Sequence, residues 1–403
     1  MMRKIKLFNI FEYEWSKPPE PEQRAGFDLV QYQKWVDTFN NSPTGTKVNQ
    51  ENALKFTAVL SATSLLSSLQ ASHPKDILIN SGQGREKSYT DQLYKLLNYS
   101  PNPWMNGYTF WELNTMRLLL WGNSYNHITW LAGKPVAITP IHPENVEVVV
   151  NGDLTYRITK TGDKTIDKDH PPKNILHFKD VSLDGVVGKS KIMLAKQSIQ
   201  LGLSAESFGH DFFAKGGVQK GHYEYPAELG DQGYNRLKEQ LGNNANHGTP
   251  ILEGGMKFTP SMIPPEAAQF ISTREFQIQD VARIFHIPNH LVGDLSRSTF
   301  SNIEHQDIAF VKYGLRPLAK RMENELEFKL MPNDLGKKYV RFNLDGILRG
   351  DTSTRADYLQ KMVQSKILNR NEARAIENLN PVDGGDAFEN PNITTEKDGE
   401  AQA

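Results

Sequence analysis

Residues 274–326 read REFQIQDVARIFHIPNHLVGDLSRSTFSNIEHQDIAFVKYGLRPLAKRMENEL, and the order of features in this run decides the fold. Ala267, Ile271, Ile278, Ala282 and Phe285 recur at helical spacing, which predicts a long helix that begins after Pro264-Pro265 and stops at the Pro288 turn. A polar loop, residues 289–302, comes next. From Ile303 a third helix is expected, with Ile308, Val311, Leu315, Leu318, Met322, Leu326 and Leu330 on its apolar face and Glu323 and Glu327 on its solvated side. Pro317 falls in the middle of that helix, where it removes a backbone hydrogen bond and predicts a kink.

Working upstream, residues 191–215 carry Ile192, Ala195, Ile199 and Leu203 on one stripe. Leu194, Leu201, Ala205, Phe208 and Phe212 lie beside it, an apolar surface too wide for one neighbour. Gly216-Gly217 is expected to end this helix. Between the two long helices a small module is predicted: strands near His222–Tyr225, Pro250–Leu252 and Met256–Pro260, and a helix over Asp231–Leu241. Further upstream come Tyr125–Leu131, Pro135–Ile141, Val146–Val150, Leu154–Ile158 and Ile175–Phe178. These β-branched and aromatic runs, broken by turn residues, read as antiparallel strands. Helices precede them at about 52–70 and 113–121. Helices before strands, without regular alternation, indicate an α+β fold rather than a doubly wound sheet.

The ends read differently. Proline, glycine and asparagine in residues 16–26 and 40–49 suggest a loosely ordered arm with a short helix near Val30–Phe39. Tyr339–Leu344 is a candidate strand, Thr354–Ile376 one or two helices, and the polar end from Asn390 a disordered tail. At 403 residues, more than one structural unit is expected. With 46 basic against 47 acidic residues the composition excludes a tight, basic DNA binder. The absence of cysteine excludes disulfides, thiolate zinc sites and cysteine nucleophiles. No apolar run approaches the roughly 20 residues that span a bilayer, and no secretory signal is read at the start, so no membrane is expected and the chain is read as made and used in the cytoplasm.

The chemical motifs are weak. Gly188-Lys189-Ser190 lacks the earlier glycine of a phosphate loop, because Leu183 stands there, so a helix start capped by Ser190 is the better reading. His286 and His290 are four apart, but Pro288 keeps them off one helical face, and a turn explains them without a metal. His142, His170 and His177 sit at strand ends or beside prolines without the partners of a general base. No GxSxG elbow is present. Trp104, Trp111, Trp121 and Trp130 have apolar neighbours and are expected in the core rather than on a base-stacking surface. These residues point to no catalytic group, metal ligand or cofactor.

Several segments, taken in order, resemble the portal proteins of tailed phages, in the branch with long non-contractile tails. They are residues 49–70, 102–128 with its Gly-Asn-Ser-Tyr core, 140–148, 175–180, 183–192, 254–270 and, most specifically, 274–326. The resemblance implies a portal fold with an α/β wing, a two-helix stem, a small αβ clip, a long kinked helix and a short helical crown. On this chain it implies an arm at 1–50, wing at 51–190, stem helix at 191–215, clip at 216–262, stem helix at 263–288, tunnel loop at 289–302, kinked helix and wing at 303–348, crown at 349–390 and tail at 391–403. It further implies a dodecameric ring at one capsid vertex that passes double-stranded DNA without sequence preference. Terminase, capsid and scaffold proteins and head-tail connector proteins would be its partners, first in the host cytoplasm and then in the virion. The tunnel loop would place Leu295, Ser296, Arg297, Ser298, Thr299 and Phe300 at the narrowest point. Glu206, Asp211, Glu266, Glu275 and Asp280 are candidates for acidic character along the stem lumen. A head-tail adaptor is the nearer alternative, a hydrolase the more distant one.

Overall fold

In the computed structural model, Asn49 begins the folded body: its side-chain oxygen accepts the N–H of Asn52 at 2.6 Å. The structure describes residues 48–82, 84–214, 221–224, 226, 230–244, 255–260, 267–294, 300–344, 352–377 and 379–388. The arm helix near Val30–Phe39, the Gly216-Gly217 stop, the strand at Pro250–Leu252, the Pro264-Pro265 start and the tail from Asn390 lie outside the described residues. Residue contacts separate 1–48 from 49–403, and the described helices and strands all belong to the second unit.

Its elements are, in order, α1 (Gln50–Ala53), α2 (Thr57–Ser72), β1 (Lys75–Asn80), β2 (Arg85–Lys87), α3 (Gln92–Asn98) and α4 (Gly107–Trp121). Then come β3 (Asn123–Leu131), β4 (Lys134–Ile141), β5 (Val146–Asn151), β6 (Asp153–Ile158), β7 (Asp169–His170) and β8 (Ile175–Lys179). The middle holds α5 (Lys191–Leu194), α6 (Lys196–Ala214), β9 (Gly221–Glu224), α7 (Asp231–Asn244), β10 (Lys257–Pro260) and α8 (Ala267–Phe285). A 3-10 turn (Asn289–Val292) leads to α9 (Phe300–Phe310), a π-helical segment (Val311–Leu315), α10 (Arg316–Leu330), β11 (Lys338–Phe342), α11 (Thr352–Gln364) and α12 (Arg370–Ile376). The fold is α+β, and the four small sheets among the described residues are antiparallel: β11-β1-β2, β4-β3-β8, β5-β6-β7 and β10-β9.

Several expectations change. The helix expected over 52–70 is two, α1 and α2, with a break between Ala53 and Thr57. The stretch 191–215 breaks at Ala195 into α5 and α6. The loop expected over 289–302 contains a 3-10 turn and ends earlier, because α9 begins at Phe300. Ile308 is exposed, and Phe310 takes the buried position instead. Pro317 is the second residue of α10, directly after the π segment, in which Arg316 N–H reaches back five residues to the Val311 carbonyl. Of the four tryptophans only Trp111 is fully buried, whereas Trp104 is 67% exposed.

The strand pair β1–β2 and helix α3 escape the sequence reading altogether. KDILIN is short and shows no alternation, and its pairing partner β11 lies more than 250 residues later, matching Lys75 to Phe342 and Ile79 to Lys338. Glu323 and Glu327 are the clearest correction, since neither faces solvent. The Glu323 carboxylate is buried and accepts the Phe342 N–H at 2.9 Å, while Glu327 accepts the Val340 N–H at 3.2 Å. Arg341 bridges both acids, at 3.1 and 2.9 Å. Two strand N–H groups with no ladder partner on that side are thereby satisfied by charge-assisted hydrogen bonds.

The main core gathers around Trp111, which packs edge-to-face on Phe110 and Phe342 and donates its indole N–H to the Leu97 carbonyl at 2.7 Å. Lys75 is buried beside it. Its ammonium lies 5.0 Å from the Trp111 ring and donates to the carbonyls of Gln70 and Ala71 at 3.3 and 3.0 Å, in the last turn of α2. Burial pushes its pKa down to about 7. In the unfolded chain this lysine keeps its proton until about pH 10. Between those values the unfolded state binds more protons, so the Lys75 contribution to stability should rise with pH from about 7 to about 10 and be flat below. Urea midpoints at about pH 7 and about pH 9 should show this slope in the parent protein and lose it in Lys75→Met.

Candidate functional site: the helix-pair root and the loop base

The paired helices α6 and α8 hang from a junction that the sequence displays as two motifs without joining them. Gly122 ends α4 in the left-handed conformation at φ 73°, and a Cβ there would lie 2.4 Å from the Lys189 carbonyl. Gly188 is equally tight against the Gly122 carbonyl. Asn123 locks the contact: its side-chain nitrogen donates to the Gly188 carbonyl at 2.8 Å, and its oxygen accepts the Gly188 N–H at 2.7 Å. Gly188-Lys189-Ser190 is therefore a backbone docking segment. Ser190 caps α5, accepting the Met193 N–H at 3.2 Å and donating to the Leu120 carbonyl.

Asp180 is the charge at this root. Its buried carboxylate meets Lys191 of α5 at 3.2 Å and Arg321 of α10 at 3.0 Å, and Arg321 also donates to the Lys179 carbonyl at 2.8 Å. One acid thus ties the end of β8 to the start of the helix pair and to the long returning helix. The sequence gives no local signal for it, because its partners are 11 and 141 residues away.

Along the pair, Ser198 donates to Asp280 at 3.1 Å, and Arg274 reaches Glu206 at 3.5 Å. Thr57 of α2 donates to the same Glu206 oxygen at 3.1 Å, and Gly202 admits the ring of Phe56. Of the acids proposed for a lumen, Glu206 and Asp280 are half-buried and paired with Arg274 and Arg283. Glu275 is exposed. Asp211 lies in α6, but its side chain is outside the described part, and Glu266 lies outside the described residues. So do Leu295, Ser296, Arg297, Ser298 and Thr299; Phe300 opens α9.

The base of that loop is described. His286 adopts a left-handed φ of 56°, and its carbonyl lies so near Gly314 that a Cβ there would stand 2.9 Å away. His290, set aside as half of a metal pair, is held by two oxygens of α9: Gln306 at 2.9 Å and Asp307 at 2.9 Å. Beside it opens a cleft of about 520 Å³ lined by Gln279, Arg283, His286, Asp294, Gln306 and Tyr313. Among the described residues no cluster of three or more His, Asp or Glu side chains could hold a metal ion. His177 is a core group, 3.1 Å from the Tyr156 hydroxyl and 2.9 Å from the Asn123 side-chain oxygen, and its burial holds it neutral, well below the usual histidine range.

These contacts join elements to one another, and they define an α+β body that carries a paired-helix insertion. Comparison with known proteins agrees. The family described as "Phage portal protein" matches residues 57–378. The portal protein of Enterobacteria phage HK97 is 33% identical over 353 residues, covering 85% of this chain and 82% of that protein. Two solved structures share the fold: an HK97-family phage portal protein from Corynebacterium diphtheriae, and the neck of a native gene transfer agent particle computed with C12 symmetry. The first has a TM-score of 0.58 at 16% identity and covers 74% of this chain and 96% of its own. The second has a TM-score of 0.56 at 19% identity and covers 86% and 99%. The chain belongs to the phage portal protein family.

Replacing Asp180 by Ala should destabilise the protein by about 3 kcal/mol, because it leaves two cations facing one another without their acid. Lys191→Met, which removes one of the competing charges and keeps the stem of the side chain, should cost clearly less. Equal urea midpoints for parent and Asp180→Ala would contradict the role assigned to this carboxylate.

Proposed function

We propose that copies of this chain close into a ring, a dodecamer at one capsid vertex, whose central channel passes double-stranded DNA during packaging and ejection. The observation that carries the ring is a stripe of large, exposed apolar side chains on the helix pair. Leu194 at the end of α5, and Leu201 and Phe208 on α6, are 61%, 53% and 40% exposed. Ser198, Gly202 and Glu206 take the side turned to α8 and α2, while Leu194, Leu201 and Phe208 keep much of their surface open to solvent. On α8, Phe276 is 54% exposed and offers an apolar counterpart. A row of large apolar side chains on a helix flank is the mark of an interface, and a second copy of the same pair supplies a matching surface. The C12 symmetry of the gene transfer agent neck, whose fold this chain shares, supports the same arrangement.

In this reading residues 51–190 and 303–348 form most of the wing, α6 and α8 the stem, 216–262 the clip, 289–302 the tunnel loop and 349–390 the crown. The clip would dock a terminase motor and later the head-tail connector proteins, and the wing would meet capsid and scaffold proteins. Assembly would take place in the host cytoplasm, and the finished ring would reside at the virion vertex. The balanced charge suits a conduit, since duplex affinity grows with every phosphate neutralised and a channel must let the duplex slide. Glu275, exposed, is the leading acid for the lumen, and Asp211 and Glu266 are further candidates; Glu206 and Asp280 contribute less because arginines offset them. Arg297, among residues 295–300, is the side chain suited to touch a phosphate.

Two experiments test this. Leu201→Asp with Phe208→Asp should leave a folded chain that no longer assembles, read as loss of the ring peak by native mass spectrometry and light scattering. An unaltered ring would refute the stripe as interface. Deleting residues 295–299 should leave the ring intact while DNA packaged per capsid falls at least tenfold; a lost ring, or normal packaging, would contradict a channel role for that loop.

A further inference from the structure

The two ends of the 295–299 segment are fastened in a way that neither the ring nor the channel requires by itself. On the incoming side the chain leaves α8 through His286 and Pro288, makes the 3-10 turn, and passes Gly293 at φ 93°. Asp294 is then held by its N–H, donated to the Asn289 carbonyl at 3.0 Å, and by its carboxylate, which accepts from Gln279 of α8 at 3.1 Å. On the outgoing side α9 starts at Phe300, and its second turn presents Gln306 and Asp307. His290 spans the two sides. Its Nδ1 is 2.9 Å from the Gln306 side-chain oxygen and its Nε2 2.9 Å from the Asp307 carboxylate, with the ring side chain only 6% exposed.

An imidazole with both nitrogens engaged cannot rotate without breaking a bond, and a buried ring left unpaired is costly. Since Gln306 and Asp307 are neighbours on one helix, the ring fixes both the distance and the rotation of α9 relative to the 3-10 turn. We propose that His290 is a positioning residue, which sets where residues 294 and 300 stand and hence the separation of the two ends of the segment between them. Its effect on packaging rests on the proposed channel role of the loop; the positioning of α9 does not.

The test uses assembled rings of the full chain, comparing the parent with His290→Ala, His290→Gln and Gln306→Ala/Asp307→Ala. Hydrogen exchange is followed in peptides spanning 289–306 and, separately, in α8, alongside packaged DNA per capsid. His290→Ala and the double variant should exchange at least tenfold faster around the loop base with α8 unchanged, and packaging should fall at least fivefold. His290→Gln, which keeps one donor toward α9, should recover at least half of the loss. Unchanged exchange at the loop base, or faster exchange spread equally through α8, would overturn the proposal. Faster exchange confined to the loop base with packaging intact would uphold the positioning and reject the channel reading. Should His290→Ala fail to assemble, the double variant, which leaves the turn residue in place, gives the same decision.

Discussion

Everything in the described body depends on one closure: β11, near the end of the chain, pairs with β1, near its beginning. The pairing alone would leave β11 with unmet N–H groups on its other side. Glu323 and Glu327 of α10 supply those acceptors, and Arg341 neutralises the two acids between them. The long helix is thereby welded to the sheet it returns to. The helix pair and the β9–β10 module form an insertion hung from that closed frame.

The insertion is attached with little freedom. At its start the glycines at 122 and 188 bring two backbones closer than any side chain would permit, and Asn123 saturates the hydrogen bonds of that contact. At its end Gly314 lies under the His286 carbonyl where the π segment widens the helix. Asp180 joins start and end through Lys191 and Arg321. Short, charge-assisted contacts between rigid elements hold the root of the helix pair more firmly than a mobile linker would.

Much of this was legible in the sequence, and the reason is periodicity. The strands β3 to β6 and β8, the helices α4, α6, α8 and α10, and the Ser190 cap could be read because each is encoded by residues within a few positions of one another. The order of motifs from 49 to 326 named the family for the same reason, since motifs are local. The tunnel-loop assignment and the lumen acids came only from that resemblance.

What failed shares the opposite character. Glu323 and Glu327 look like a solvated pair on an amphipathic helix, and only the arrival of β11 turns that face inward. KDILIN is unremarkable until a strand more than 250 residues later pairs with it. Lys75 and Asp180 are ordinary charged residues whose burial is decided by partners far along the chain, and His290 reads as part of a turn, with nothing local to show that α9 brings up two oxygens. Local spacing by itself determined most of the elements, though not β1, β2, α3 or β7, and the family to which they belong. The tertiary structure decided which polar groups are buried and paired, because desolvation and hydrogen bonding depend on neighbours in space rather than in sequence.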